Sequence, residues 1–447
     1  MPATRELNLT LDLCLRIGEL LLSSGAGAAD VTATMQAIAW RYGVRHPETD
    51  VTFTSLSMSH QEDPEEPPVV LIRQVKQRDI DYEDLTLVDH LVRDVLHGDV
   101  DVTEARSRLA RIVSSGHVLP RWAATVGWGV MAAGVGLQLG GGPAVVVLAF
   151  AAAVAIDLLQ TAMARRRIPF FYRQVAGGGV ATLMAVLAAS TWLDVDPSLV
   201  VTANIVMLLA GIGFMGALQD ALSGFYVTAG ARLTEALLAT AGIIAGVSGG
   251  LTVADLVGVD VGRIEPGASD LKELSVMAVG AAVCAAAFAF ASYAPRRTLV
   301  PVGLVAAAAM VISQSVGLGG VGSTWSTALA AFFVGLVSFG VAARLRVPPL
   351  VVIVPAVVPM LPGLSIYRAL SLLTEGDTET SAGLLAMVTA VSIALALASG
   401  VILGEYVAQP LRREARRLES RLAGPRLVGP LRVTRVRRRS SAPAGRG

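Results

Sequence analysis

Lysine is nearly missing from this sequence. It occurs only at Lys76 and Lys272, so almost all positive charge is arginine and a buried catalytic or Schiff-base lysine has almost no candidates. Cysteine is as scarce: Cys14 and Cys284 are too few and too far apart for a disulfide framework or a thiolate metal site. Aromatic residues make up 5% and charged residues 16% of the 447 positions, which excludes a chain that is soluble and globular throughout. The start lacks a basic-then-apolar leader. No Gly-x-x-x-x-Gly-Lys loop is present to cradle a phosphate, so the chain is not expected to hydrolyse ATP. A formal net charge of +1 leaves no global field to recruit nucleic acid.

What is abundant is small and apolar. Hydrophobic residues reach 53%, glycine numbers 45, and mean hydropathy is +0.62. This mixture suits transmembrane helices whose small residues let backbones approach one another. The charged residues are concentrated before residue 120, where helical spacing (Val31, Met35, Ile38, Ala39, Tyr42) precedes a strand pattern at Val51, Phe53 and Ser55 and a second β-rich run at Val69 to Val75. Two further helices follow, one carrying Leu85, Val88, Leu91, Val92 and Val95, the other opened by Asp101 or Thr103 and carrying Ala105, Leu109, Ile112 and Val113.

From Trp122 onward, apolar runs of roughly 17 to 25 residues recur, the length a helix needs to cross about 30 Å of hydrocarbon. About ten spans are predicted, near 122–139, 142–163, 172–193, 198–218, 229–250, 273–293, 299–317, 324–343, 348–373 and 382–406. Arginines alternate between the loops: Arg165 to Arg167, Arg232, Arg296 and Arg297, Arg344 and Arg346, and Arg412 onward all fall on one side. By the positive-inside rule that side is cytoplasmic, and both termini lie there. The predicted fold is an α-helical polytopic membrane protein. It divides into a cytoplasmic α+β domain at 1–120, a five-helix membrane repeat at 121–251, an extracytoplasmic loop at 252–271, a second five-helix repeat at 272–408 and a basic tail at 409–447. The tail reads as a disordered strip against anionic headgroups.

The repeat rests on a short match. Pro197-Ser-Leu-Val-Val resembles Pro348-Pro-Leu-Val-Val, with Gly211 against Gly363 and Ala217-Leu218 against Ala369-Leu370. These segments open the fourth and ninth spans. A repeat of five crossings reverses its second copy, as in transporters with inverted repeats and alternating access.

The ninth span cannot be an ordinary helix, because Pro348, Pro349, Pro355, Pro359 and Pro362 each remove an N–H. Carbonyls freed at membrane depth need protein, water or a ligand. Pro359 to Gly363 is therefore the candidate substrate or ion site, against the alternative of a kink relieved by neighbours. Arg368, a turn beyond, has the fork to clamp a carboxylate or the length to snorkel to the interface. Asn204 occupies the position matching Pro355, with Thr202 beside it, facing one cavity or serving as interhelical glue. Asp157 and Gln160, a turn apart in the second span, are coupling or gating candidates, with Asp157 either carrying a proton or pairing near the inner interface. Asp220 to Gly224 and Arg232 to Glu235 bracket the turn between the fourth and fifth spans, with Arg232 and Glu235 on one helix face.

That pattern of Asp, Gly, Arg and Glu resembles the threonine/serine exporter family, ThrE. So do Gly18-Glu-Leu-Leu-Leu-Ser-Ser-Gly25-Ala with Tyr42-Gly43-Val44, and Pro359-Met-Leu-Pro362-Gly363. The resemblance covers nearly the whole chain except the basic tail. It implies export of threonine and serine across a bacterial inner membrane, driven by protons and without a cofactor. Related two-component members are associated with dicarboxylate export. Asp220, Gly224, Arg232, Glu235, Pro359, Pro362 and Gly363 carry over as binding, coupling or gating positions.

Rival classes are weaker. An enzyme would have to use Ser55, Ser57, Ser59, His60 and Asp63, which show no Gly-x-Ser-x-Gly turn and lie too close in sequence for a triad. His90, Asp94 and His97 share a helix face, yet no metal-site motif includes them. A channel is the nearer rival. The N-terminal domain reads as a regulator or gating plug, and the small-residue helices are compatible with a homodimer.

Overall fold

The computed structural model describes residues 2–419 apart from 64, 76–79, 191–195, 209, 259–270, 363–364, 366–368, 370–371 and 373–379, with side chains described through Ala408. Gly363, Arg368, the acidic loop around Asp194 and the tail from 420 lie outside these residues.

The N-terminal part is α+β. Helices α1 (Pro2–Ser23) and α2 (Ala28–Arg41) are joined by a tight turn in which Gly25 adopts φ 95° and the Ala26 N–H reaches back to the Leu21 carbonyl. That left-handed geometry suits a residue without Cβ. Strands β1 (Glu48–Val51), β2 (Ser55–His60) and β3 (Val69–Gln74) form an antiparallel sheet in that order, with Asp50 opposite Ser57 and Ser57 opposite Ile72. The alternation at Val51 to Ser55 is therefore not one strand. Thr52 folds back on Ser55 through backbone and hydroxyl bonds, making the middle of that run a hairpin turn. Helix α3 (Tyr82–His97) is capped by Asp81 and α4 (Val102–Ser115) by Asp101. Met35, Ile38, Leu56, Met58, Tyr82 and Leu109 are fully buried between these elements, each contributing about 1.5–3 kcal/mol of burial.

The remainder is helical: α5 (Arg121–Gln138), α6 (Pro143–Arg165), α7 (Phe170–Ala189), α8 (Pro197–Met207), α9 (Ala210–Leu222), α10 (Tyr226–Val257), α11 (Leu271–Ala291), α12 (Leu299–Leu318), α13 (Ser323–Leu345), α14 (Leu350–Val357), a 3-10 turn at Val358–Met360, and α15 (Thr380–Glu419). Among the described residues, seven helices, α6, α7, α10, α11, α12, α13 and α15, are long and apolar enough to cross a membrane. The chain is a polytopic α-helical membrane protein with a small N-terminal α+β domain. The first expected span forms α5, whose glycines and polar ends give it a weaker hydropathy than the seven. The fourth is not continuous as expected: α8 stops at Met207 and α9 starts at Ala210. The ninth breaks as its prolines require, with α14 passing into the 3-10 turn and Leu361 becoming extended at ψ 142°.

Glycines set the helix spacing, and they do so twice in the same pattern. A Cβ on Gly178 would meet the Ile243 carbonyl at 2.8 Å, one on Gly242 the Phe171 carbonyl at 2.8 Å, and one on Gly246 the Val175 carbonyl, so α7 and α10 touch backbone to backbone. In α13 and α15, Gly335 meets the Val401 carbonyl, Gly400 the Ala328 carbonyl at 2.5 Å and Gly404 the Phe332 carbonyl, with identical residue spacings. Helices α5 and α11 cross reciprocally: Gly134 faces the Cys284 N–H at 2.7 Å and Gly280 faces the Gln138 N–H at 2.5 Å. Helix α8 packs on α5, α6 and α7, and α14 packs on α11, α12 and α13.

Candidate functional site

The N-terminal domain sits on one end of the helix bundle. The Tyr82 N–H donates to the Ser292 carbonyl at 2.9 Å, the Thr228 hydroxyl donates to the Val51 carbonyl at 3.0 Å, and His90 Nε2 lies 2.8 Å from the Arg346 carbonyl. These contacts reach the α9–α10 turn and the ends of α11 and α13, where the arginine-bearing connections are.

The tightest junction uses Asp220 and Arg232. Asp220, 1% exposed, accepts the Ala28 N–H at 2.9 Å and so caps the open N-terminus of α2, where the preceding Gly27 offers no side-chain oxygen. Its other oxygen lies 3.1 Å from Arg232 Nε, and Arg232 Nη2 donates to the Ala26 carbonyl at 2.9 Å. Gly224, at φ 89°, closes the C-terminal end of α9 so that the Phe225 N–H bonds the Asp220 carbonyl. The carried-over Asp220, Gly224 and Arg232 thus form one unit, a clamp on the α1–α2 turn. Glu235 is exposed on α10.

A further acid, Asp30, lies beside it. A Cβ on Gly27 would be 3.6 Å from Asp220 Oδ1 and 3.9 Å from Asp30 Oδ2, placing the two carboxylates around one glycine. The surrounding protein, and then the Asp220 charge, hold the Asp30 carboxyl above the usual range. The sequence gives no signal of this, since Asp30 reads as an ordinary first-turn residue of a helix.

Asp157 is 7% exposed and fully engaged: Arg121 Nη2 donates to Oδ1 at 2.7 Å and the Thr125 hydroxyl donates to Oδ2 at 2.7 Å. Its partner is Arg121 rather than the arginines after the second span. Gln160 does not join it, donating instead to the Arg173 carbonyl at 3.3 Å on α7.

At the broken helices, Thr202 and Asn204 of α8 are buried at 1% and 0% exposure; Thr202 Oγ1 and Asn204 Oδ1 have no hydrogen-bond partner among the described residues, while Asn204 Nδ2 donates to the Val200 carbonyl. Pro355, Pro359 and Pro362 are buried in the other half. The Pro359 carbonyl is met at 2.8 Å by Gln138 Nε2 from the end of α5, a residue missed because a lone glutamine at a helix end carries no pattern. Asn204 and Pro355 lie on helices packed in different halves of the bundle, and α5 touches both broken elements.

Among the described residues, Asp81, Asp84 and His117 bring one ligand atom each within 4.8 Å of one another, while the residues weighed above for enzyme or metal chemistry make separate contacts. Ser59 faces Glu48, Asp94 pairs with Arg108 at 3.0 Å, and His97 bonds the Arg93 carbonyl, so these side chains serve separate local contacts.

A family described as "Putative threonine/serine exporter" matches residues 12–254, and one described as "Threonine/Serine exporter, ThrE" matches residues 277–407. The chain belongs to the threonine/serine exporter family. It is similar to a "Probable threonine/serine exporter" of Mycobacterium tuberculosis, 37% identical over 98% of this chain and 84% of that protein. It is also similar to the "Threonine/serine exporter" of Corynebacterium glutamicum, 34% identical over 91% of this chain and 84% of that one. No solved structure matches significantly. The family makes the chain a membrane transport protein and not an enzyme. Its two matched segments part at the connection between α10 and α11, where the two sets of glycine-seamed helices also divide.

Proposed function

We propose that this chain exports threonine and serine across a bacterial inner membrane by proton-driven antiport, through alternating access between two inverted five-helix halves. The observation that carries the mechanism is the pair of broken helices at corresponding positions, α8–α9 and α14 with its 3-10 turn: the first carries the buried Thr202 and Asn204 oxygens, without a partner among the described residues, and the second the Pro359 carbonyl, met by Gln138. The matching glycine seams of α7–α10 and α13–α15 and the reciprocal α5–α11 crossing support the repeat. With α5 and the two broken spans counted, the crossings number about ten, and the arginine-rich, domain-bearing end is cytoplasmic.

In this reading, Thr202, Asn204 and the backbone around Pro355, Pro359, Pro362 and Gly363 bind the substrate, and Arg368 clamps its carboxylate. Asp157 and Gln160 belong to the inner ends of the first three spans, while Asp220, Gly224, Arg232 and Glu235 couple the bundle to its N-terminal domain. The domain is a gate, because Asp220 and Arg232 hold the α1–α2 turn against the α9–α10 connection. The basic tail contacts anionic headgroups, and a homodimer is accommodated by the small-residue helices.

The test is efflux from cells loaded with labelled threonine. Production of the chain should accelerate efflux, and a protonophore should abolish the acceleration. Efflux unaffected by the chain contradicts the proposal.

A further inference from the structure

Gln138 closes α5 and is 8% exposed. Its amide is half used. Nε2 donates to the Pro359 carbonyl at 2.8 Å, while Oε1 is buried with no hydrogen-bond partner among the described residues. The carbonyl dictates this orientation: the opposite rotation would set Oε1 against the Pro359 oxygen, two acceptors face to face. One N–H is therefore committed to the broken helix, and the oxygen is left as an open acceptor. A buried acceptor left open is unfavourable, and a native structure keeps such a group where a guest or water completes it.

Gln138 is also locked in place. The backbone around it is pressed against Gly280, whose added Cβ would stand 2.5 Å from the Gln138 N–H, so α5 cannot slide here without moving α11. The same one-sided arrangement occurs at the other broken element, where Asn204 Nδ2 donates to the Val200 carbonyl and Oδ1 has no partner among the described residues.

We propose that Gln138 is a specificity-determining residue of the transport site, its Oε1 accepting a hydrogen bond from the ammonium group of an amino acid held at the Pro359 break. This assignment rests on the threonine/serine reading and refines it. An acceptor fixed in orientation favours a donor-bearing, cationic group and disfavours a carboxylate at the same point, so the site prefers an amino acid to a dicarboxylate or a deaminated analogue.

The test uses purified protein in proteoliposomes, labelled threonine, and unlabelled threonine or 3-hydroxybutyrate, which is threonine without its amino group, as competitors. In the unsubstituted protein threonine should compete far better than 3-hydroxybutyrate. Gln138→Met keeps the length and removes the acceptor, and should shrink that preference by about ten- to hundredfold, the range of a hydrogen bond to a charged group. Equal competition by threonine and 3-hydroxybutyrate in the unsubstituted protein overturns the assignment by itself, which covers the case in which Gln138→Met fails to fold. Gln138→Met that slows transport with the preference intact marks a purely structural strap and overturns the assignment. Unsubstituted protein that moves neither threonine nor serine overturns the functional reading together with this one; normal transport with an unchanged preference in Gln138→Met overturns only this one.

Discussion

Arg232 and Asp220 form an ion pair, Nε to Oδ2 at 3.1 Å, whose two members grip opposite sides of one turn in another domain: Asp220 takes the Ala28 N–H and Arg232 gives to the Ala26 carbonyl. A pair this buried is strongly destabilising to break one-sidedly, because the remaining charge is left without compensation. Arg232→Ala is expected to lower stability by about 3–5 kcal/mol and to stop transport. Asp220→Asn should be milder, since an amide oxygen can still cap α2. Hydrogen exchange at Ala28 checks the geometry: its amide should exchange at least about tenfold faster in Asp220→Ala, at about 1.4 kcal/mol per tenfold, and equal rates would show that the cap is not used.

Asp157 makes a second asymmetric case. Arg121→Ala strands a buried carboxylate that keeps only Thr125 and is expected to be costlier than Asp157→Asn, which retains a neutral partner for Thr125. Thermal melts of the detergent-solubilised variants should rank Arg121→Ala below Asp157→Asn. The reverse order would mean the pair does not hold the inner end of α5.

The glycine seams predict where side chains cannot be added. Gly246→Val and Gly404→Val each drive a Cβ into a carbonyl of the facing helix, Val175 or Phe332. Both should abolish folded protein. Gly249→Ala meets nothing within 4 Å and should be close to neutral, with yield after size exclusion as the measurement.

Much of this was legible beforehand. The alternation of arginine loops follows from chain chemistry alone, and the prolines of the ninth span announced a broken helix because each removes a donor. The break in the fourth span did not show, since Leu208 lies in an unremarkable apolar run. The hairpin at Thr52 hid inside a residue alternation that a strand and a turn share. Gln138 and Asp30 were invisible for a different reason: each matters through an atom from a distant segment, the Pro359 carbonyl and the Asp220 carboxylate, and no local pattern records such a meeting.

The junction should respond to pH at Asp84. Burial first, then the Asp81 charge, pushes its carboxyl up to about 6, with His117 opposing. Because the folded state binds this proton more tightly than the unfolded chain, its contribution to stability is greatest below about pH 4 and declines as pH rises towards 6. Asp84→Asn should therefore raise the melting temperature at pH 7.5 by about 2 °C and leave it unchanged near pH 4. An equal shift at both values would contradict the assignment.

Coupled transport of small amino acids is open to direct test. The most direct measurement imposes a proton gradient across proteoliposomes containing the purified chain and follows labelled threonine, serine and succinate together with lumenal pH. Saturable movement of threonine or serine with a matching proton flux is the predicted result. Movement of succinate alone, or amino-acid movement that neither saturates nor moves protons, contradicts it.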